Sequence, residues 1–160
     1  MKNVLLIFAL LFILLQAEAQ QRPQFSQYLF NGVYINPAYS GYKESLYLHS
    51  FFRSQWTGME GAPKTMSLAL DGAINDGKVG LSLLVNHDQV GAQLQTSAYA
   101  NYAYKLKMGY YENARLAFGL GVGAVQLGLD GTRLHAAEEE DMIPTGMESK
   151  ILPDARAGIF

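Results

Sequence analysis

The side chains that could do chemistry are few and scattered. Cysteine is absent, which excludes disulfides, thiolate metal sites and cysteine nucleophiles. His49, His87 and His135 stand far apart, and none has the spacing of a metal-binding pair such as H-E-x-x-H. Each reads as a polar strand or loop residue. Glu138-Glu139-Glu140-Asp141 is an acidic run without the alternate-position ligands of a calcium loop, so a solvated loop is expected there. Gly119-Leu120-Gly121-Val122-Gly123-Ala124 spells the glycine pattern of a dinucleotide-binding turn. That motif needs a strand before it and a helix opening after it. Here the glycines recur at every second position of an alternating run, which predicts one crowded strand face instead. No G-x-S-x-G elbow occurs. The chain therefore offers no catalytic residue, no cofactor-binding residue and no metal ligand, and a protein that is not an enzyme is expected.

The elements that would position any site follow from hydrophobic period. From Ser45 onward apolar residues recur every second position. Met66, Leu68 and Leu70 alternate with Thr65, Ser67 and Ala69; Val79, Leu81, Leu83 and Val85 share one face. In Gln93–Leu106 one face carries Leu94, Thr96, Ala98, Ala100, Tyr102, Tyr104 and Leu106, and in Ala114–Gln126 one face carries Leu116, Phe118, Leu120 and Val122. Strands are thus predicted near 45–56, 65–74, 79–86, 93–106 and 114–126, with a sixth beginning near Asp154. Soluble strands cluster at about 5–6 residues, whereas a strand crossing an outer membrane takes about 9–11. The length predicts an antiparallel transmembrane β-barrel over a soluble β-sandwich, which would show the same alternation with its apolar face turned inward.

Connections support that reading. Asn75-Asp76-Gly77-Lys78 is a tight hairpin signal, because Asp-Gly takes positive φ readily. Lys107–Asn113 is a second short connection, and Thr57–Lys64, His87–Ala92 and Leu127–Leu152 are expected as longer ones. Short turns then alternate with long loops, as they do at the two ends of such barrels. Tyr102, Tyr104, Tyr110 and Tyr111 would sit in an aromatic girdle or in ordinary cross-strand pairs. Barrels of this type have even strand numbers from eight upward, so five and a half strands read as the N-terminal part of a longer barrel.

Composition agrees. The 160 residues are 49% apolar and 16% charged, against roughly 25% charged in soluble domains, which excludes intrinsic disorder. A formal charge of −2 argues against nucleic acid as a partner. Lys2, the apolar run Val4–Leu15 and Ala17-Glu18-Ala19 form a signal peptide over residues 1–19, cleaved after Ala19. The apolar run would make a helix of about 18 Å, too short for a hydrocarbon core of about 30 Å.

Pro23-Gln-Phe-Ser-Gln-Tyr-Leu-Phe-Asn31, followed by Tyr34-Ile-Asn-Pro-Ala-Tyr-Ser-Gly41, resembles the N-terminal signature of the PorP/SprF family of type IX secretion membrane proteins. Phe52-Arg-Ser-Gln-Trp-Thr-Gly58, Gly61-Ala-Pro-Lys-Thr65, Val79-Gly-Leu-Ser82, Asn86-His-Asp-Gln-Val-Gly91, Leu152-Pro-Asp154 and Ala157-Gly158 continue the similarity in order. The resemblance implies an outer-membrane β-barrel of Bacteroidota. It implies type IX secretion components as partners, together with a large secreted or surface-anchored client such as a gliding-motility adhesin. It supplies no catalytic residue.

The expectation is therefore an exported outer-membrane protein with a signal peptide (1–19), a lead-in segment (20–44) and the N-terminal part of a barrel (45–160), in contact with the lipid bilayer and with no small-molecule substrate. Asn36-Pro37 and Ser40-Gly41 are turn formers, so the lead-in is not a central strand. Its aromatic residues Phe25, Tyr28, Phe30, Tyr34 and Tyr39 would plug a lumen, seat a partner, or pack against the first strands. Arg53 and Trp56, where the first strand ends, are the other candidate partner contacts. Arg53 also reads, with Gln55, as part of a lumen-facing structural row. Two rival readings are a passive porin and a secreted soluble β-sandwich that binds carbohydrate.

Overall fold

A computed structural model describes residues 32–108, 114–134 and 146–160. Six antiparallel strands form one sheet in sequence order: β1 (Tyr47–Ser54), β2 (Lys64–Ile74), β3 (Val79–Val90), β4 (Gln93–Lys107), β5 (Arg115–Asp130) and β6 (Met147–Ile159). Each strand pairs with the next in sequence, and among the described residues no pairing joins β1 to β6. The sheet is open, with the architecture of part of a barrel wall. Ahead of β1 lie a single helical turn, α1 (Gly32–Ile35), and a 3₁₀ turn (Pro37–Tyr39). Pro37 opens that turn, where its missing N–H costs nothing, and the Asn36 side chain caps it by accepting from the Ala38 N–H at 2.9 Å.

Which face is buried separates the barrel from the sandwich. The apolar positions are the exposed ones: Leu83 is 59% exposed, Leu120 65% and Val122 67%. Their strand neighbours Ser82, Asn101, Ala103, Ala117 and Val125 are buried. A water-soluble sandwich puts its apolar side chains inside; here polar and small side chains are inside, and among the described residues no second sheet covers the apolar face. On β5 the outward apolar run extends from Leu116 to Ala124, and on β4 from Ala98 to Leu106, close to the length that crosses a hydrocarbon core. Beyond it the outward row turns polar at His87, Thr96 and Gln126, and His87 Nδ1 lies 2.8 Å from Thr96 Oγ1.

Two expected loops are partly strand. His87–Ala92 is not a long connection: β3 continues to Val90, and Gly91-Ala92 make a two-residue turn with Gly91 at φ +59°. Leu127–Leu152 is likewise shortened from both ends, by β5 to Asp130 and β6 from Met147. The reason is common to both. Past the apolar band, alternation stops carrying the strand signal, and polar cross-strand pairs such as Thr65 with Asp88 hold the ladder together. The simple alternation of short and long connections fails at Gly91-Ala92 for the same reason. The hairpin at Asn75–Lys78 is as expected: the Lys78 N–H donates to the Asn75 carbonyl at 3.1 Å, and Asp76 and Gly77 between them have φ of +52° and +79°. The acidic run at 138–141, His135, Tyr110 and Tyr111 fall outside the described residues.

Ala117 and Phe160 exchange both backbone bonds, at 2.7 and 2.9 Å. Counting back along β6, Asp154 and Arg156 turn their backbone groups toward β5, whereas Pro153 faces away. Its missing N–H therefore costs the β5 ladder nothing.

Candidate functional site

The polar face is built in cross-strand rows, and the segment 32–46 lies on it. One row is Asp71, Ser82, Asn101, Gly121 and Arg156, adjacent across β2 to β6. The next row toward the short turns is Ala73, Gly80, Ala103, Gly119 and Gly158. The small row makes room for the segment's backbone. A Cβ at Gly80 would collide with the Ser40 carbonyl, and one at Gly119 with the backbone of Pro37 and Ala38. A wall with alanine or larger there could not receive the segment at this distance.

The polar row then ties the segment down. The Gly41 N–H donates to Asp71 Oδ1 at 2.5 Å, and Lys105 Nζ donates to the Gly41 carbonyl. Both polar groups of one peptide residue are thus held by side chains of opposite charge from β2 and β4. The Ser40 and Ser82 hydroxyls are 2.8 Å apart, and Asn101 Nδ2 donates to Ser82 at 2.9 Å. Arg156 donates 3.0 Å bonds from Nη1 to the Tyr34 carbonyl and from Nη2 to Asn101 Oδ1, with its guanidinium 3.8 Å from the Tyr99 ring centre. Asn36 Nδ2 donates to the Ile159 carbonyl at 2.8 Å. Buried polar groups carry a large penalty when unpaired, so this row specifies one seating of the segment and disfavours a slide by one residue.

On the other side of the polar row, Val33 and Tyr34 enter an apolar cluster with Ala69, Leu84, Tyr99 and Val125. Burial pushes the Tyr34 phenol above its ordinary value, with the Ser67 hydroxyl opposing. Tyr39 packs against this cluster, stacks on Tyr42 at 4.9 Å and meets Phe160 edge-on at 5.1 Å. At the segment's end Glu44 takes positive φ (+62°) and pairs with Arg115 of β5. That guanidinium holds the Glu44 carboxyl below its ordinary value.

Of the candidate partner contacts, Tyr34 and Tyr39 come together on the segment and serve to seat it. Arg53 shares the polar face with Thr65. Trp56 is 67% exposed in the β1–β2 connection with φ +49°, at the opposite end of the sheet from Tyr39. The structure therefore brings Tyr34 and Tyr39 together, but not with Arg53 and Trp56. Phe25, Tyr28 and Phe30 lie outside the described residues. Sequence reasoning passed over Asp71, Lys105 and Arg156. Their signal was a charge at an inward position of a long alternating strand, but their convergence depends on register across four ladders. Among the described residues no group of His, Asp and Glu could hold a metal ion.

Comparison with known proteins gives one match. A family model described as type IX secretion system membrane protein PorP/SprF matches residues 17–160. Neither curated proteins nor solved structures gave a match.

Proposed function

The chain belongs to the PorP/SprF family of type IX secretion system membrane proteins, and from that premise we propose that it is an outer-membrane barrel wall with a built-in plug, supporting the export or surface anchoring of large client proteins. The apolar face turns to lipid, the polar face lines the lumen, and residues 32–46 fill part of it. The observation that carries this reading is the inverted burial, with Leu83, Leu120 and Val122 exposed while Ser82, Asn101 and Arg156 are buried. In water so continuous an apolar surface promotes association; against acyl chains it is the stable arrangement. Residues 1–19 serve as the export signal, and gliding adhesins are the client class in species that move on surfaces.

The test is affinity capture of the full-length tagged protein from detergent-solubilised outer membrane, with partners identified by mass spectrometry. A matched deletion strain is assayed for proteins lost from the medium and cell surface. Recovery of secretion components together with loss of one large client is the expected result. An isolated, ion-conducting barrel would favour a porin instead, and protein found only in the medium would overturn the membrane assignment.

A further inference from the structure

The short-turn end of the polar face concentrates positive charge. Lys107 and Arg115 stand directly opposite each other across the β4–β5 ladder, an arrangement that destabilises a sheet unless anions neutralise it. Lys105, one inward position along β4, is buried on the same face. Among the described residues this end carries Lys43, Lys78, Lys105, Lys107 and Arg115 against Glu44, Asp71 and Asp76. Asp71 is buried and engaged with the Gly41 N–H. Glu44 is half-exposed on Arg115, so it can give up that partner without uncovering the apolar cluster beneath the segment.

A cleft of about 470 Å³ opens beside this pair, with Tyr42 and Phe160 over the buried Ala38 and Ala117 as its apolar lining and Lys105, Arg115 and Glu44 as its charged edge. We propose that this end is a docking surface for an acidic segment of a partner protein. Its carboxylates would take Arg115 and Lys107 in place of Glu44, and an apolar side chain would rest against the exposed rings of Tyr42 and Phe160. Lys105, Lys107 and Arg115 occupy register positions of the polar face, which turns them away from the lipid-facing side and favours a peptide over a lipid headgroup. The inference deepens the secretion reading by giving one partner its chemistry. It rests on that reading only for the compartment, since short turns lie on the periplasmic side of outer-membrane barrels.

The experiment uses the full-length protein purified in neutral detergent and two fluorescent peptides of alternating composition, Glu with Phe and Lys with Phe, read by anisotropy at about 0.15 M salt. Wild type is expected to bind the acidic probe alone. The double variant Lys107→Glu with Arg115→Glu should weaken that binding by about tenfold or more and create binding to the basic probe. Glu44→Gln should tighten the acidic probe, because it removes the internal competitor; a purely structural role for Glu44 predicts no gain. Failure of wild type to bind, equal binding of both probes, or affinity unchanged in the double variant would overturn the proposal. So would displacement of the probe by phosphatidylglycerol vesicles, which would reassign the surface to lipid headgroups. Because binding is read on purified protein, a failed client assay in cells would leave this result standing, and the reverse also holds.

Discussion

Gly119 and Glu44 hold the lead-in segment by opposite means, one by having no side chain and one by its charge. A Cβ at Gly119 meets the backbone of Pro37 and Ala38, which cannot yield as a flexible side chain would. Gly119→Val is expected to unseat the segment while the hairpins stay paired, lowering unfolding free energy by about 1–3 kcal/mol. Limited proteolysis in detergent should show new cuts between residues 36 and 46. Gly58 makes the contrast, since a Cβ there meets nothing within 4 Å and only its φ of +102° opposes substitution. Glu44 gives a pH dependence. Its folded-state pKa is lowered, chiefly by the hydrogen bond from Arg115, so its contribution is present above the unfolded value and is lost as pH falls through the folded one. Hydrogen exchange of residues 40–46 should accelerate on acidification through the carboxylate range. In Glu44→Gln that step should be absent.

Among the elements, β3, β4 and β5 run well past the apolar band. The outward row changes from Val85, Ala98 and Ala124 to His87, Thr96 and Gln126 across one step of the ladder, which sets the edge of the apolar band. Position along the strand should then decide what a charge costs. Leu83→Arg, inside the band, is expected to cost about 2–4 kcal/mol in a bilayer, and Gln126→Lys, at its edge, about 0–1 kcal/mol. Urea unfolding in lipid vesicles measures both. Equal costs at the two positions would contradict a membrane-spanning sheet. The extension past the band also explains why the Gly91-Ala92 turn is so short: the strands have already left the apolar zone, and polar ladder pairs carry them to the turn.

For the whole molecule, the decisive feature is that the sheet and the segment packed on its polar face are one chain. The segment 32–46 contacts β2 through Asp71, β3 through Ser82, β4 through Lys105, β5 through Arg115 and β6 through Arg156, so it ties all but the first strand together from inside. A lumen filled this way should conduct poorly. Replacing residues 32–41 by a Gly-Ser linker is expected to raise single-channel conductance in planar bilayers several-fold, as the polar row Asp71–Arg156 becomes solvated. If the native and replaced proteins conduct alike, the segment is not a plug.

Much of this was legible before any coordinates. Alternation at Leu81, Leu83 and Val85 or at Phe118, Leu120 and Val122 gave the strands and their two faces, because side chains in a strand alternate with period two whatever surrounds them. Asp76-Gly77 announced its turn through backbone sterics alone, and the family signature was visible in the motifs from Pro23 to Gly158. Alternation, however, is silent about which face points inward: a sandwich and a barrel wall read alike, and burial of Ser82 against exposure of Leu83 separates them. It is silent too where both faces are polar, which is why the strand reaches of 87–90 and 127–130 were expected as loops. The Gly41 clamp lay furthest from view. Asp71 and Lys105 are distant in the chain, and they reach the same peptide because two successive ladders, β2 with β3 and β3 with β4, fix their register and small residues at 80 and 119 let the backbone come close enough to be held.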